Sequence, residues 1–305
     1  MSKILCTIGP ISQKYESLKK VLNFTNFVRL NGAHNTIEWH KEISKLIKKI
    51  DPKCKILIDL PGIKPRSNNE RNVEIKKNSK VLFYYGKLNL EKFNNFIKIP
   101  LTRPIPNFKT VNYFTVTDGK FNFKYISHKK NFIIGKSLQN FDLLPKKGIN
   151  IPGSIYSDKL QEKVYINYLN KIRSLDIDAI GLSYVQNSKI IKKIKKKTSK
   201  IIVSKVENSL GCENAEEICK NSDIVMIDRG DLSAEIGENN LYKETISISQ
   251  FAKKNGKLLV MATENLESMI TNNTPSKSEI ISLSFTKSLN TDYLMLSDET
   301  ATSKK

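Results

Sequence analysis

The chain has 305 residues, of which 39% are hydrophobic, and a formal net charge of +21 at pH 7. This length and composition indicate one large globular domain or two smaller ones and exclude a disordered chain. No apolar run reaches the roughly 18 residues that a membrane-spanning helix needs, and the N-terminus lacks the layout of a signal peptide. We therefore expect a cytoplasmic protein without a membrane partner.

The positive charge comes almost entirely from lysine, because only six residues are arginine. In the basic run 188–200, Ile190, Ile191 and Ile194 recur at helical spacing between lysines, which predicts a covering helix with its lysines in water. This pattern is typical of a solvated lysine-rich surface, and we do not expect nucleic acid as a partner. The four cysteines have no CxxC spacing, so neither a zinc site nor a disulfide framework is expected.

Short β-rich runs recur along the chain and alternate with helical patterns such as those at 15–24 and 36–50. Alternating strands and helices with continuously apolar strands indicate a parallel sheet covered by helices. Eight such strands predict an α/β fold, a (β/α)8 TIM barrel. The predicted strands are 3–9, 26–32, 54–60, 178–185, 200–208, 223–230, 257–263 and 292–300.

The alternation breaks once, after the third strand. Residues 67–144 have no helical periodicity and contain five β-like runs separated by turn signals such as TDGK. We interpret this segment as a small inserted β domain that closes over the barrel mouth as a lid, with residues 1–66 and 145–305 forming the barrel. A merely decorative insertion is the alternative.

Polar residues cluster where the predicted barrel strands end, which is where TIM barrels carry their chemistry. Lys205 and Glu207 are the most informative pair, because residues two apart on a strand project from the same face. Burying unpaired charge is costly, so either the two side chains form a plain ion pair or a charged ligand lies between them.

Nine segments, in order along nearly the whole chain, resemble the signature strings of the pyruvate kinase family. These segments are CTIGP (6–10), RLNGAH (29–34), DLPGIKPR (59–66), KKGINIPG (146–153), SKVEN (204–208), RGDLSAEI (229–236), ATENLESM (262–269), PSKSE (275–279) and MLSDETA (295–301). The resemblance implies transfer of a phosphoryl group from phosphoenolpyruvate to ADP, which gives pyruvate and ATP.

The resemblance also implies roles for individual residues. Glu207 and Asp231 would bind a divalent cation, Mg²⁺ or Mn²⁺, which suits the oxygen ligands that such hard cations prefer. Lys205 and Arg29 would contact the phosphoryl group in transfer. Thr263 would take part in protonating the enolate, although a helix N-cap before ENLESM is an alternative role for this threonine. Substrate-binding residues would be Gly230, Asp231, Thr263 and Ser183, and nucleotide-binding residues would be Arg66 and His34.

The family's monovalent-cation site is only partly kept. Asn31 and Asp59 match it, but Ala33 and Leu60 replace a serine and a threonine, so half of the oxygen ligands are absent. Lys64 replaces a glutamate, and its ammonium group could take the position of potassium. We therefore predict that K⁺ is not required.

Two alternatives to the kinase reaction stay open. Glu264, which replaces a glutamine of the family, favours a specialised enzyme with another phosphoryl acceptor or an aldol-type lyase; the other alternative is a non-catalytic relative. The chain stops soon after MLSDETA, so we expect neither an eighth covering helix nor the family's C-terminal effector domain. A neighbouring subunit, the N-terminal segment or truncation would explain the uncovered strand surface, and we expect a homo-oligomer.

Overall fold

The structure is a computed structural model that describes residues 2–109 and 111–303. Its strands, in chain order, are β1 (Lys3–Ile8), β2 (Phe27–Asn31), β3 (Lys55–Leu60), β4 (Val73–Ile75), β5 (Lys80–Tyr84), β6 (Ile97–Pro100), β7 (Tyr113–Val116), β8 (Phe121–Lys129), β9 (Phe132–Ser137), β10 (Phe141–Leu143), β11 (Ile149–Asn150), β12 (Ala179–Leu182), β13 (Ile201–Val206), β14 (Ile224–Asp228), β15 (Leu258–Ala262) and β16 (Tyr293–Leu296). The α-helices are α1 (Tyr15–Phe24), α2 (Ile37–Ile50), α3 (Asp158–Ile172), α4 (Ser188–Lys195), α5 (Ser209–Glu213), α6 (Ala215–Asn221), α7 (Arg229–Ile236), α8 (Glu238–Lys254), α9 (Lys277–Ser288) and α10 (Asp298–Ala301).

Eight parallel strands close into a barrel in the order β1, β16, β15, β14, β13, β12, β3, β2, which confirms the predicted TIM barrel. Each of the eight predicted runs contains one of these strands. Apolar side chains that point inward fill the barrel, among them Leu57, Val203 and Met226. A larger apolar cluster lies between the strands and the helices. Because both faces of these strands are buried, their sequences are apolar without alternation.

The lysine-rich run 188–200 forms the predicted covering helix, but α4 ends at Lys195. Asn187 begins the helix, since its side chain accepts a hydrogen bond from the backbone N–H of Lys189 (3.1 Å). Ile190, Ile191 and Ile194 are buried, as predicted. The apolar face thus covers the barrel and leaves lysines in water.

The segment between β3 and β12 contains a six-stranded sheet in the order β11, β7, β8, β9, β5, β6 and a two-stranded sheet of β10 and β4. This sheet has a hydrophobic core of its own, in which Phe83, Phe114 and Phe123 are fully buried. The sheet extends beyond the predicted limit at residue 144, because β11 pairs with β7. The division of the chain at 66/67 and 144/145 stays a prediction.

The last strand is followed by α10, which packs on β1 at the barrel mouth. A Cβ atom added to Gly9 would lie 2.7 Å from the Cβ of Ala301, so only glycine permits this contact. The Thr300 hydroxyl donates to the carbonyl oxygen of Thr7 (2.9 Å), which ties the two elements together. Ile4 on β1 is 38% exposed. Within residues 2–109 and 111–303, none of the helices has the length and apolar content to cross a bilayer.

Candidate active site

The carboxyl ends of the barrel strands bring charged side chains from four strands into one buried group. Arg29 comes from β2, Asp59 from β3, Lys205 from β13 and Asp228 from β14. Each is less than 10% exposed. Parallel strands place these ends at the same rim, so residues distant in sequence become neighbours. This rim also borders a cavity of about 120 Å³ that Arg66, His34, Lys64 and Asp231 help to line.

Asp59 is the acceptor at the centre of this group. Its Oδ2 accepts from Arg29 Nε (3.0 Å) and Nη2 (2.8 Å) and from Lys205 Nζ (3.3 Å). Its Oδ1 accepts from the Ser183 hydroxyl (3.2 Å). Burial by itself raises the pKa of Asp59, but the Lys205 and Arg29 charges outweigh it and lower that pKa below its ordinary value. The aspartate is therefore an anion that fixes both cations.

A close approach of two backbones makes room for Asp59. Gly181 on β12 pairs with Asp59 on the neighbouring β3. A Cβ atom at Gly181 would lie 2.9 Å from Asp59 Oδ1 and 3.1 Å from its Cα. Any larger side chain would push the aspartate away from Arg29 and Lys205, so the glycine keeps the position of the carboxylate.

Lys205 is a buried ammonium ion held by three carboxylates. Its Nζ lies 3.1 Å from Glu207 Oε2, 3.1 Å from Asp228 Oδ2 and 3.3 Å from Asp59 Oδ2. Burial lowers the pKa of Lys205, but the carboxylates, with Asp59 first, raise it well above the ordinary value. The alternative of a plain ion pair with Glu207 is therefore too simple, because Lys205 shares its charge among three partners.

Glu207, Asp228 and Asp231 form a carboxylate cluster in which one oxygen of each lies within 4.8 Å of the others. Glu207 Oε1 accepts from the backbone N–H of Tyr184 (2.7 Å), and Asp231 Oδ1 accepts from the Tyr184 hydroxyl (2.9 Å). Burial first, and then the charges of Asp231 and Asp228, raise the pKa of Glu207 despite the opposing effect of Lys205. This arrangement of buried oxygens fits a hard divalent cation held by Glu207 and Asp231.

Lys64 lies against Asp231 in the cavity that Asn31 and Asp59 also line. Its Nζ donates to Asp231 Oδ1, to Asp118 Oδ1 (2.7 Å) and to Asn150 Oδ1 (3.3 Å). Among the described residues, Lys64 has no hydrogen bond with Asn31 or Asp59. The three predicted residues share one cavity, although Arg29 and Lys205, and not Lys64, are the cations in contact with Asp59. Whether K⁺ is required stays a prediction.

Thr263 follows β15 in a left-handed backbone conformation, with φ of 61°, and Glu264 follows with φ of 53°. Such values are strained for a β-branched residue. The Arg229 guanidinium holds this turn, because its Nη2 donates to the carbonyl oxygens of Thr263 (2.6 Å) and Glu264 (2.8 Å). The N-cap alternative for Thr263 is wrong, since the short 3₁₀ helix that follows starts only at Glu267.

The Thr263 hydroxyl lies between two elements of the site. Its oxygen accepts from the backbone N–H of Gly230 in the first turn of α7 (2.9 Å). It lies within donating distance of Asp228 Oδ1 (3.1 Å) and of the carbonyl oxygen of Ala262 (2.7 Å). Thr263, Gly230 and the carboxylate cluster therefore belong to one connected group.

Arg66 and His34, the predicted nucleotide-binding residues, line the same cavity farther out. Arg66 Nη1 donates to the carbonyl oxygen of Lys146 (3.1 Å), while His34 is exposed. Burial first, and then the charges of Arg66 and Arg29, lower the pKa of His34. The structure brings both residues to the rim but gives neither of them a carboxylate partner among the described residues.

Sequence reasoning missed three residues of this group, namely Asp228, Arg229 and Tyr184. Asp228 ends β14, so the strand-end rule that selected its neighbours would also have found it. Arg229 opens the RGDLSAEI segment, but its role could not be read from the sequence, because its partners are backbone carbonyls of another loop. Tyr184 has φ of 61°, and a bulky residue in that conformation is not predictable from its type.

Comparison with known proteins identifies the family of the chain. Residues 1–304 match the pyruvate kinase barrel domain. The chain is 29% identical to a pyruvate kinase of Methanocaldococcus jannaschii over 99% of its own length and 66% of that protein. It is 30% identical to a pyruvate kinase of Staphylococcus aureus and 28% identical to one of Thermoplasma acidophilum, over 53% and 55% of those proteins. The chain thus spans about half to two thirds of the length of these relatives. Its barrel, its nine ordered segments and this match together establish that the chain belongs to the pyruvate kinase family.

Proposed function

We propose that the chain transfers the phosphoryl group of phosphoenolpyruvate to ADP, which yields pyruvate and ATP. The observation that carries this proposal is the Lys205 ammonium, buried among three carboxylates beside Arg29 at the barrel mouth. Phosphoryl transfer depends mostly on positioning and on stabilising negative charge, and two fixed cations at one rim supply both.

The reaction breaks the bond between the phosphorus atom and the enol oxygen of phosphoenolpyruvate. A new bond forms between that phosphorus and an oxygen of the ADP β-phosphate, and the enolate left behind takes a proton at its methylene carbon. Lys205 and Arg29 would offset the charge on the phosphoryl oxygens. Asp59 and Ser183 would hold Lys205 in place for this task, since both lie within hydrogen-bond distance of its Nζ.

Thr263 would act on the enolate, and Gly230 with Asp231 would receive the substrate carboxylate at the start of α7. Backbone N–H groups at a helix start favour an anion, which supports this assignment. The Gly230 N–H now donates to the Thr263 hydroxyl, so a bound carboxylate would compete for the same donor. Arg66 and His34, farther out on the cavity wall, would contact the phosphates and base of ADP or ATP.

Glu207 and Asp231 would hold the divalent cation, Mg²⁺ or Mn²⁺. Such a cation supplies Lewis-acid stabilisation of oxygen charge in phosphoryl transfer. Potassium would not be required, because Lys64 places a fixed positive charge on Asp231 and because Asp59 already has two cationic partners. The homo-oligomer expected from the sequence remains a prediction, which light scattering would test.

The test is pyruvate formation from phosphoenolpyruvate and ADP by the purified protein with Mg²⁺, in sodium and in potassium buffers. We expect equal rates in both salts, loss of activity in Lys205→Met, and unchanged activity in Lys192→Met, which removes an exposed lysine of α4. A strict need for potassium would refute the role of Lys64. Magnesium-dependent binding of phosphoenolpyruvate without pyruvate formation would instead favour a different acceptor on the same site.

A further inference from the structure

We propose that Asp228 is a third carboxylate ligand of the divalent-cation site, together with Glu207 and Asp231. The inference rests on the proposed function, because this divalent cation is the Mg²⁺ or Mn²⁺ ion proposed to take part in phosphoryl transfer from phosphoenolpyruvate. Asp228 ends β14 and is 6% exposed. It therefore projects into the barrel mouth from the strand next to the one that carries Lys205.

The spacing of the three carboxylates suits one small cation. One oxygen from each lies within 4.8 Å of the others. An octahedral Mg²⁺ ion, with oxygens about 2.1 Å away, holds its ligand oxygens about 3.0 to 4.2 Å apart. Small side-chain rotations would bring the three residues into that range.

A second observation points to a ligand at the same place. Glu207 is fully buried, yet its Oε2 has no hydrogen-bond partner among the residues that the structure describes. The Lys205 ammonium lies 3.1 Å from this oxygen, but without the geometry of a hydrogen bond. A buried carboxylate oxygen without a donor is costly, and a cation in the cluster would satisfy it.

The local charge balance also favours an additional cation. In the described part of the chain, four carboxylates, those of Asp59, Glu207, Asp228 and Asp231, are in contact with three cations, Arg29, Lys64 and Lys205. Among the described residues, Lys205 is the only cation paired with Glu207 and Asp228, and it also shares Asp59 with Arg29.

Asp228 would connect the cation to the groups that act on substrate. Its Oδ2 lies 3.1 Å from Lys205 Nζ, and its Oδ1 lies 3.1 Å from the Thr263 hydroxyl. The competing explanation is that Asp228 only positions Lys205 and Thr263 and does not bind the cation. It predicts an effect of Asp228 on turnover and none on cation binding, so a binding measurement separates the two.

The experiment is a titration of the protein with Mn²⁺ in which free Mn²⁺ is followed by electron paramagnetic resonance, with and without phosphoenolpyruvate. We expect Asp228→Asn to weaken Mn²⁺ binding by at least about 10-fold. Asp228→Ser, which removes the carboxylate but keeps a hydroxyl, should weaken it similarly. Asp142→Asn, a neutralised exposed aspartate on β10, is the matched control and should bind like the wild type.

Unchanged Mn²⁺ affinity in both folded Asp228 variants would overturn the inference, even if turnover falls. Absence of Mn²⁺ binding by the wild type, with or without phosphoenolpyruvate, would overturn it as well. Thermal melts without metal establish that the variants are folded. Pyruvate formation is measured separately, so Mn²⁺ binding that depends on Asp228 in a protein without kinase activity would refute only the proposed reaction.

Discussion

Replacing Lys205 by methionine should destabilise the protein as well as inactivate it. Methionine keeps most of the side-chain volume but removes the charge that Asp59, Glu207 and Asp228 share. Breaking a buried ion pair by removing one partner costs about 3–5 kcal/mol, because the remaining charges stay buried. Arg29 still neutralises Asp59, so we place the loss of unfolding free energy within this range and not above it.

The loss should show as a lower midpoint of thermal unfolding. An unfolding entropy of about 2.1 cal/mol/K per residue gives roughly 0.6 kcal/mol/K for 305 residues. The midpoint should therefore fall by about 5–8 °C, and calorimetry at pH 7.5 would measure it. Lys192→Met, on the exposed face of α4, should not change the midpoint.

The pH dependence gives a sharper check. Burial and the charges of Asp231 and Asp228 raise the pKa of Glu207, and Lys205, which opposes them, is absent from the variant. Glu207 therefore binds its proton more tightly in the folded variant than in the unfolded chain, so the difference in unfolding free energy between variant and wild type should narrow as the pH falls from 8 to 5. A difference that stays constant over this range, or a midpoint equal to that of the wild type, would refute the reasoning.

Three further outcomes are expected. Arg229→Gln should lower the free energy of unfolding by roughly 1–3 kcal/mol in urea titrations, because the strained turn at Thr263 loses two hydrogen bonds to its carbonyls; an unchanged midpoint would contradict this. Burial raises the pKa of Glu235 to about 8, so the neutral form is favoured in the folded chain and stability is lost as the pH rises from about 4.5 towards 8. Glu235→Gln should therefore gain stability relative to the wild type over that range, and a parallel pH profile would count against it. Asp118→Ala should speed amide hydrogen exchange in the turn 117–120, since the Asp118 contact with Lys64 ties that turn to the barrel; Asp142→Asn, which leaves this ion pair intact, should not.

The strand positions and the barrel were predictable from sequence because burial on both faces leaves a direct signature. Runs such as 201–206 are apolar without alternation, and only a parallel sheet covered by helices buries such a strand on both sides. The covering face of α4 was predictable for the same reason, since helical periodicity records which side meets the core. The last strand of the inserted sheet was not predictable from the sequence. This strand, β11, has only two residues and is too short to carry a pattern.

The candidate site was also predictable only in part from the sequence. That Lys205, Glu207 and Asp231 lie together follows from their places at strand ends, which parallel strands bring to one rim. The partner that each charge meets depends on side-chain geometry across the rim, so only the tertiary structure shows Lys64 on Asp231 and Asp228 between Lys205 and Thr263. The sequence determined which residues reach the barrel mouth, because the alternation of side chains between the two faces and their burial are set within one strand. The tertiary structure decided which residues pair, because the ion pairs form between strands that are distant in the chain.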